Sequence, residues 1–226
     1  MITLLHTSAV HIATFDRLSI ALGFNEPLRH IVREHLLADA RAYGLSTRVV
    51  GDIRIAVAEA ARNSSVVLCT CSTIGGCAEL AADCADGLAV LRVDRPMACR
   101  AVSLGTRVVV VAALASTFDS TCKLLLDEAA RCHKEISIVK LLCEGAWTQF
   151  EACDIPGYIA ALVPFLKRAI LLGDVVVLSQ ASMAPAADEV TMTDVPILSS
   201  PRLGLEAAIA VVRSLDQKHA VQLRPY

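Results

Sequence analysis

The chain has 226 residues, 55% of them apolar and 4% aromatic, with 21 Lys and Arg against 23 Asp and Glu for a formal charge of −2. That length supports one larger domain or two small lobes with a real core, and the near-even charge balance leaves no basic stripe to neutralise a phosphate backbone, which argues against nucleic acid. No apolar run approaches the ~20 residues needed to cross a bilayer, and residues 1–15 lack the basic leader and apolar core of a secretory signal, so a soluble, cytoplasmic protein is expected, with no membrane partner.

In chain order, residues 2–5 read as a first strand, ending in His6-Thr7-Ser8. Residues 26–43 carry helical spacing up to a glycine stop at Gly44, residues 46–50 read as a strand, and residues 53–62 as a helix. The next strand, residues 66–69, runs into Cys69-Thr70-Cys71-Ser72-Thr73 and the pair Gly75-Gly76, followed by a helix over 78–85 and a strand over 88–93. Pro96 then interrupts the periodicity. A new series begins at Arg107: strand 107–112, helix 118–133, strand 136–142, helix 158–172 with a stop at Gly173, and strand 175–178.

The strands are continuous apolar runs, as expected where helices cover both faces of a parallel sheet. The fold class is therefore α/β. A lobe boundary near Pro96 and a weak repeat, SSVVLCTCST against GDVVVLSQASMA, imply two similar lobes of parallel sheets facing one another across a cleft, spanning 1–94 and 95–195.

In such sheets ligands bind beyond the carboxyl ends of the strands, where helix N-termini present free N–H groups. Cys69 and Cys71 share a face if the strand persists, and a thiol at a helix mouth has its thiolate favoured by the local dipole. Ser72, Thr73, Gly75 and Gly76 are expected to offer hydroxyls and open N–H groups to a carboxylate.

Several competing readings fall away on spacing. The nine cysteines are an odd number without an export signal, which fits reduced thiols in a cytosol and mostly core roles, Cys69 among them. Cys69, Cys71 and Cys77 have no histidine at ligand spacing, so no metal is expected. The Gly75-Gly76 pair lacks a nucleotide-binding fingerprint, and no cofactor is implied. His30 and His35, five apart on the expected helix, do not share a face and suit surface or packing roles, and His11, in the loop after the first strand, either lines the cleft or is a solvated loop residue, the second reading preferred. Glu144, after the strand at 136–142, is either a second acid or base or a solvated loop carboxylate.

Residues Cys71-Ser72-Thr73 after an apolar strand, and Leu178-Ser179-Gln180-Ala181-Ser182-Met183-Ala184 after another, resemble the two cysteine motifs of the aspartate/glutamate/hydantoin racemase superfamily, its hydantoin racemase branch in the second case. The likeness implies a cofactor-independent isomerase of two α/β lobes, acting on a small carboxylate, with Cys71 as the catalytic thiol. It places Thr7, Ser8, Ser72, Thr73, Ser116, Thr117, Gln180, Ala181 and Ser182 against the substrate. It also implies that residues 196–226 return to the first lobe, and leaves room for a homo-oligomer. The departure is Gln180, which stands where the family has its second cysteine. A two-base racemase needs both positions to titrate, and an amide does not. A single-cysteine decarboxylase, isomerase or lyase, a non-catalytic carboxylate binder, and an acyl hydrolase using Cys71 therefore stand beside racemisation.

Overall fold

The computed structural model of the protein describes residues 1–85 and 87–222, with residues 218–222 as backbone alone. The chain divides into two compact units, Met1–Val93 together with the segment from Arg202, and Asp94–Pro201.

In the first unit β1 (Ile2–His6) leads into α1 (Ile12–Ala21), then β2 (Arg29–Val32), α2 (Glu34–Tyr43), α3 (Thr47–Ala61), β3 (Val66–Cys69), α4 (Ser72–Leu80) and β4 (Ala89–Arg92). The four strands are parallel in the order β2-β1-β3-β4. Alternation of side chains along each strand divides the core in two. Leu5, Val67, Cys69 and Val90 pack against Leu36, Ile53, Val57 and Ile74 from α2, α3 and α4. On the opposite face Ile2, Leu4, Val66 and Leu68 pack against Phe15 of α1 and against Leu205, Ile209 and Val212 of the carboxyl-terminal helix.

Two expectations for this unit are corrected. The segment expected as one helix over 26–43 begins with strand β2, and α2 starts only at Glu34. Pro27 and the β-branched pair Ile31-Val32 favour extended backbone there, and a four-residue edge strand is too short to alter a helical window. Residues 46–50, expected as a strand, open α3 instead: Val49, Ile53, Ala56, Val57 and Ala60 form one buried helical stripe, and burying that stripe outweighs the strand preference of Val49-Val50. Helix α1 adds to the expected set.

The second unit contains α5 (Arg95–Leu104), β5 (Arg107–Ala112), α6 (Thr117–Arg131), β6 (Ser137–Leu142), α7 (Ala146–Glu151), α8 (Ile155–Ala169), β7 (Val175–Leu178), α9 (Ala184–Asp188) and β8 (Ile197–Leu198). Its strands are also all parallel, in the order β6-β5-β7-β8. Val109, Val111, Val176 and Leu178 meet Tyr158, Leu162 and Leu166 of α8 in its core. Pro96 opens α5, where its missing N–H is not needed.

The sheets thus repeat one strand order, and β1, β2, β3 and β4 correspond to β5, β6, β7 and β8. The return of the chain differs from the expectation. Ile197 and Leu198 pair with Val176 and Val177 of β7 and extend the second sheet, so residues 196–201 stay in the second unit. The first unit resumes at Arg202 within α10 (Ser200–Gln222), and residues 223–226 of the expected segment lie outside the described residues. Gly204 lets α10 pass close to the end of β4: a Cβ there would stand 2.5 Å from the Val93 carbonyl oxygen. No helix among the described residues is long and apolar enough to cross a membrane.

Candidate functional site

The carboxyl ends of β1 and β3 gather most of the candidates in the first unit. β3 ends at Cys69, which is fully buried, whereas Cys71 is half-buried and packs at the margin of the same core. Cys71 has extended backbone (φ −113°, ψ 117°) and caps α4. Ser72 and Thr73 therefore belong to the first helical turn, whose N–H groups have no partner within the helix. Thr7 is buried just past β1, and Ser8 is half-buried at the start of a short 3-10 turn.

Gly75 and Gly76 do not offer open N–H groups. They lie inside α4, where the i to i−4 pattern uses those amides. Their missing side chains make room for Arg92 at the end of β4: a Cβ on Gly75 would stand 3.1 Å from the Arg92 Cβ, and one on Gly76 3.3 Å from its Nη1. The buried Arg92 guanidinium donates to the Ser72 carbonyl at 3.5 Å.

On the other face of the same sheet a polar chain runs inward from the surface. Asp16 Oδ1 on α1 lies 3.0 Å from His30 Nε2 on β2, His30 Nδ1 lies 2.9 Å from His6 Nε2, and His6 Nδ1 lies 2.8 Å from Thr70 Oγ1. The rings of His6 and His30 are near coplanar, 12° apart with centroids separated by 5.2 Å. That separation matches the N···N distance plus a ring radius on each side, so the nitrogens lie on the line between the ring centres and the contact is an in-plane hydrogen bond. His6 is fully buried, with Phe15 and His11 against it. Burial, with His30 and His11 nearby, pushes its pKa down to about 3, and burial pushes His11 down to about 4. The expectation of a packing or surface role for His30 on a helix is corrected: it sits on a strand, bonded on both ring nitrogens.

In the second unit β7 runs into Ser179 and Gln180. Ser179 N–H donates to the Val111 carbonyl at 3.0 Å, as Thr70 N–H donates to the Leu5 carbonyl at 3.0 Å. Each hydroxyl also reaches that carbonyl, at 3.0 Å from Ser179 and 3.3 Å from Thr70. By this register Gln180 is the counterpart of Cys71, and its backbone is extended in the same way (φ −116°, ψ 141°). Gln180 is 8% exposed. Its Oε1 accepts from the Ala113 N–H at 3.0 Å and from Ser179 Oγ at 3.3 Å, while its Nε2 has no hydrogen-bond partner among the described residues.

Thr117 joins this cluster: its Oγ1 lies 3.1 Å from Ser179 Oγ and donates to the Leu114 carbonyl at 2.8 Å. Ser116 is exposed ahead of α6 and makes no side-chain cap. Ala181 is buried at the start of a 3-10 turn, and Ser182 Oγ lies 3.0 Å from the phenol of Tyr158, whose pKa is pushed up by burial against the opposing effect of that bond. Glu144 is exposed, and the neighbouring Cys143 thiol is sealed in the core, its pKa pushed up to about 12 by burial. Among the described residues no group of three or more His, Cys, Asp or Glu is placed to hold a metal ion.

No protein-family model and no curated protein matches the sequence. The fold, two parallel α/β units with repeated strand order, is that of solved racemases. A glutamate racemase from Francisella tularensis subsp. tularensis SCHU S4, in complex with D-glutamate, superposes with a TM-score of 0.68 at 14% identity, over 95% of this chain and 81% of that one. Allantoin racemase from Klebsiella pneumoniae gives 0.58 at 16% identity, over 94% and 87%. Unliganded arylmalonate decarboxylase gives 0.57 at 16% identity, over 93% and 91%.

Proposed function

We propose that the chain is a cofactor-independent, cytoplasmic enzyme of the aspartate/glutamate/hydantoin racemase superfamily that transfers a proton at the carbon α to the carboxylate of a small amino acid or related acid, with Cys71 as the proton-transfer group. The observation that carries this reading is the correspondence of Cys71 and Gln180, two residues past equivalent strands in a repeated frame and alike in extended backbone. The likeness in fold to a glutamate racemase, an allantoin racemase and a decarboxylase supports it. Nine free thiols suit a reducing cytoplasm.

The chemistry at the two positions differs. Cys71 sets a half-buried thiol, a group that can take or give a proton, at the N-terminus of α4, where the N–H groups of residues 72–74 have no partner within the helix. Gln180 carries no exchangeable acid. With its oxygen held by the Ala113 N–H, its NH2 group is left to donate, the polarity that suits a carboxylate or an enediolate oxygen. Thr7, Ser8, Ser72 and Thr73 in the first unit, and Ser116, Thr117, Ala181 and Ser182 in the second, are the proposed substrate-binding residues.

The amide at 180 also favours a second reading, a decarboxylase, isomerase or lyase that works with one thiol. Solvent deuterium incorporation into amino acids, hydantoins and malonates, with Cys71→Ala as control, tests both. Exchange at Cα without release of CO2 supports the racemase-like reaction, and exchange with CO2 release the decarboxylase. If wild type and Cys71→Ala bind a carboxylate alike and neither exchanges protons, the enzyme reading falls and a carboxylate-binding protein replaces it.

A further inference from the structure

The Asp16–His30–His6–Thr70 chain admits two self-consistent proton orders. A carboxylate only accepts hydrogen bonds, so His30 Nε2 carries the proton it shares with Asp16. With His30 neutral, its Nδ1 accepts, His6 Nε2 donates, and His6 Nδ1 accepts from the Thr70 hydroxyl. The opposite order also fits the same atoms. With His30 doubly protonated, His6 carries its proton on Nδ1 and donates to Thr70 Oγ1, and the Thr70 hydroxyl turns to its second acceptor, the Leu5 carbonyl at 3.3 Å. The two orders differ by one proton. One end is open to water, since the Asp16 side chain is 52% exposed, and the other is the buried hydroxyl of the residue before Cys71.

We infer that Asp16, His30, His6 and Thr70 form a proton relay between solvent and the carboxyl edge of the first sheet. The inference rests on the reading of that edge as a place of proton transfer. In the outward direction an acid at that edge gives a proton to Thr70 Oγ1, and the hydroxyl proton passes to His6 Nδ1. The His6 Nε2 proton then passes to His30 Nδ1, leaving an imidazolium beside the Asp16 carboxylate and the conjugate base at the edge. Only protons move, and the reverse sequence returns one from water. His6 and His30 act as positioning residues in this scheme. The depressed pKa of His6 keeps its ring neutral, as a link that both accepts and donates must be. His11 is the other titratable ring packed on His6, at 6.4 Å between centroids, and it too is held neutral.

Nitrogen-15 NMR on the full chain labelled at histidine tests the relay without a known substrate. The expected pattern is Nε2–H on both His6 and His30 at neutral pH, with the His6 ring proton exchanging with water despite its burial. Asp16→Asn preserves an acceptor for His30 and removes the terminal base, so it should slow that exchange by about tenfold or more while the melting temperature holds. His30→Gln, which breaks the path, should do the same and decides the matter if Asp16→Asn is poorly folded. A neutral His30 paired with Nδ1–H on His6, or exchange unchanged in these variants, overturns the relay. This outcome is separate from the Cys71→Ala deuterium assay: absent deuterium incorporation defeats the enzyme reading, whereas ring-proton exchange judges the relay.

Discussion

Gln180 Oε1 accepts a hydrogen bond from the Ala113 N–H at 3.0 Å, and this bond orients the whole amide. Its buried NH2 group has no partner among the described residues, an arrangement that costs on the order of 1–3 kcal/mol unless a ligand supplies an acceptor. Gln180→Glu keeps the oxygen for Ala113 and replaces the donor with a second carboxylate oxygen. Affinity for small carboxylates, read by calorimetry, should fall about 10- to 100-fold, as for loss of a hydrogen bond to a charged group. Unchanged affinity would remove Gln180 from the carboxylate-binding residues.

Thiol accessibility offers a second test. Cys69 and Cys143 are sealed in the two cores, and the Cys143 thiol is pushed up to about 12, so both should resist iodoacetamide in the native state. Cys71 should react, and a bound carboxylate should protect it while the exposed Cys132 and Cys153 remain open. Peptide mass spectrometry reads the pattern directly. Protection of Cys132 and Cys153 to the same degree as Cys71 would show a general stabilisation in place of local binding.

Acid should weaken the fold through its buried imidazoles. His6 and His11 titrate near 3 and 4 when folded and near 6.5 when unfolded. Between those values the unfolded chain holds protons that the folded chain lacks, so stability rises with pH across the window and is lost as pH falls from about 6.5. The slope should reach at most about 1.4 kcal/mol per pH unit for each histidine. Urea unfolding at several pH values checks this, and His6→Gln should give a shallower dependence than wild type.

Gly204→Ala sets two effects against each other. Alanine favours a helix over glycine by about 1 kcal/mol. Here its methyl group would meet the Val93 carbonyl oxygen at 2.5 Å, where backbone has to move, and such overpacking costs about 1–3 kcal/mol. The clash should win, and the melting temperature should fall. A rise would mean that α10 can draw away from β4 at little cost.

The alternation of apolar strands and periodic helices was enough to expect two parallel α/β layers, because strands such as Val66–Cys69 and Val175–Leu178 are buried along their whole length. The motifs around Cys71 and Gln180 were visible for the same reason: each follows a continuous apolar strand. What escaped was short or tertiary. β2 has four residues inside a helix-like stretch, and with it His30 lost its true neighbours. Pro27 and Ile31-Val32 were the available signals. The roles of Gly75 and Gly76 depended on Arg92, sixteen or more positions downstream, and no local pattern announces that a guanidinium will need the space. The bond from Ala113 to Gln180 joins residues 67 apart through the pairing of β5 with β7.

The repeated strand order pairs Thr70 with Ser179, two hydroxyls bonded alike, but sets unlike groups around them. Where the first sheet ends in imidazoles and a thiol, the second ends around Ser179 in an amide and hydroxyls. One scaffold therefore holds two chemical temperaments: an edge furnished with imidazole and thiol, and an edge furnished with the dipoles of an amide and its neighbouring hydroxyls.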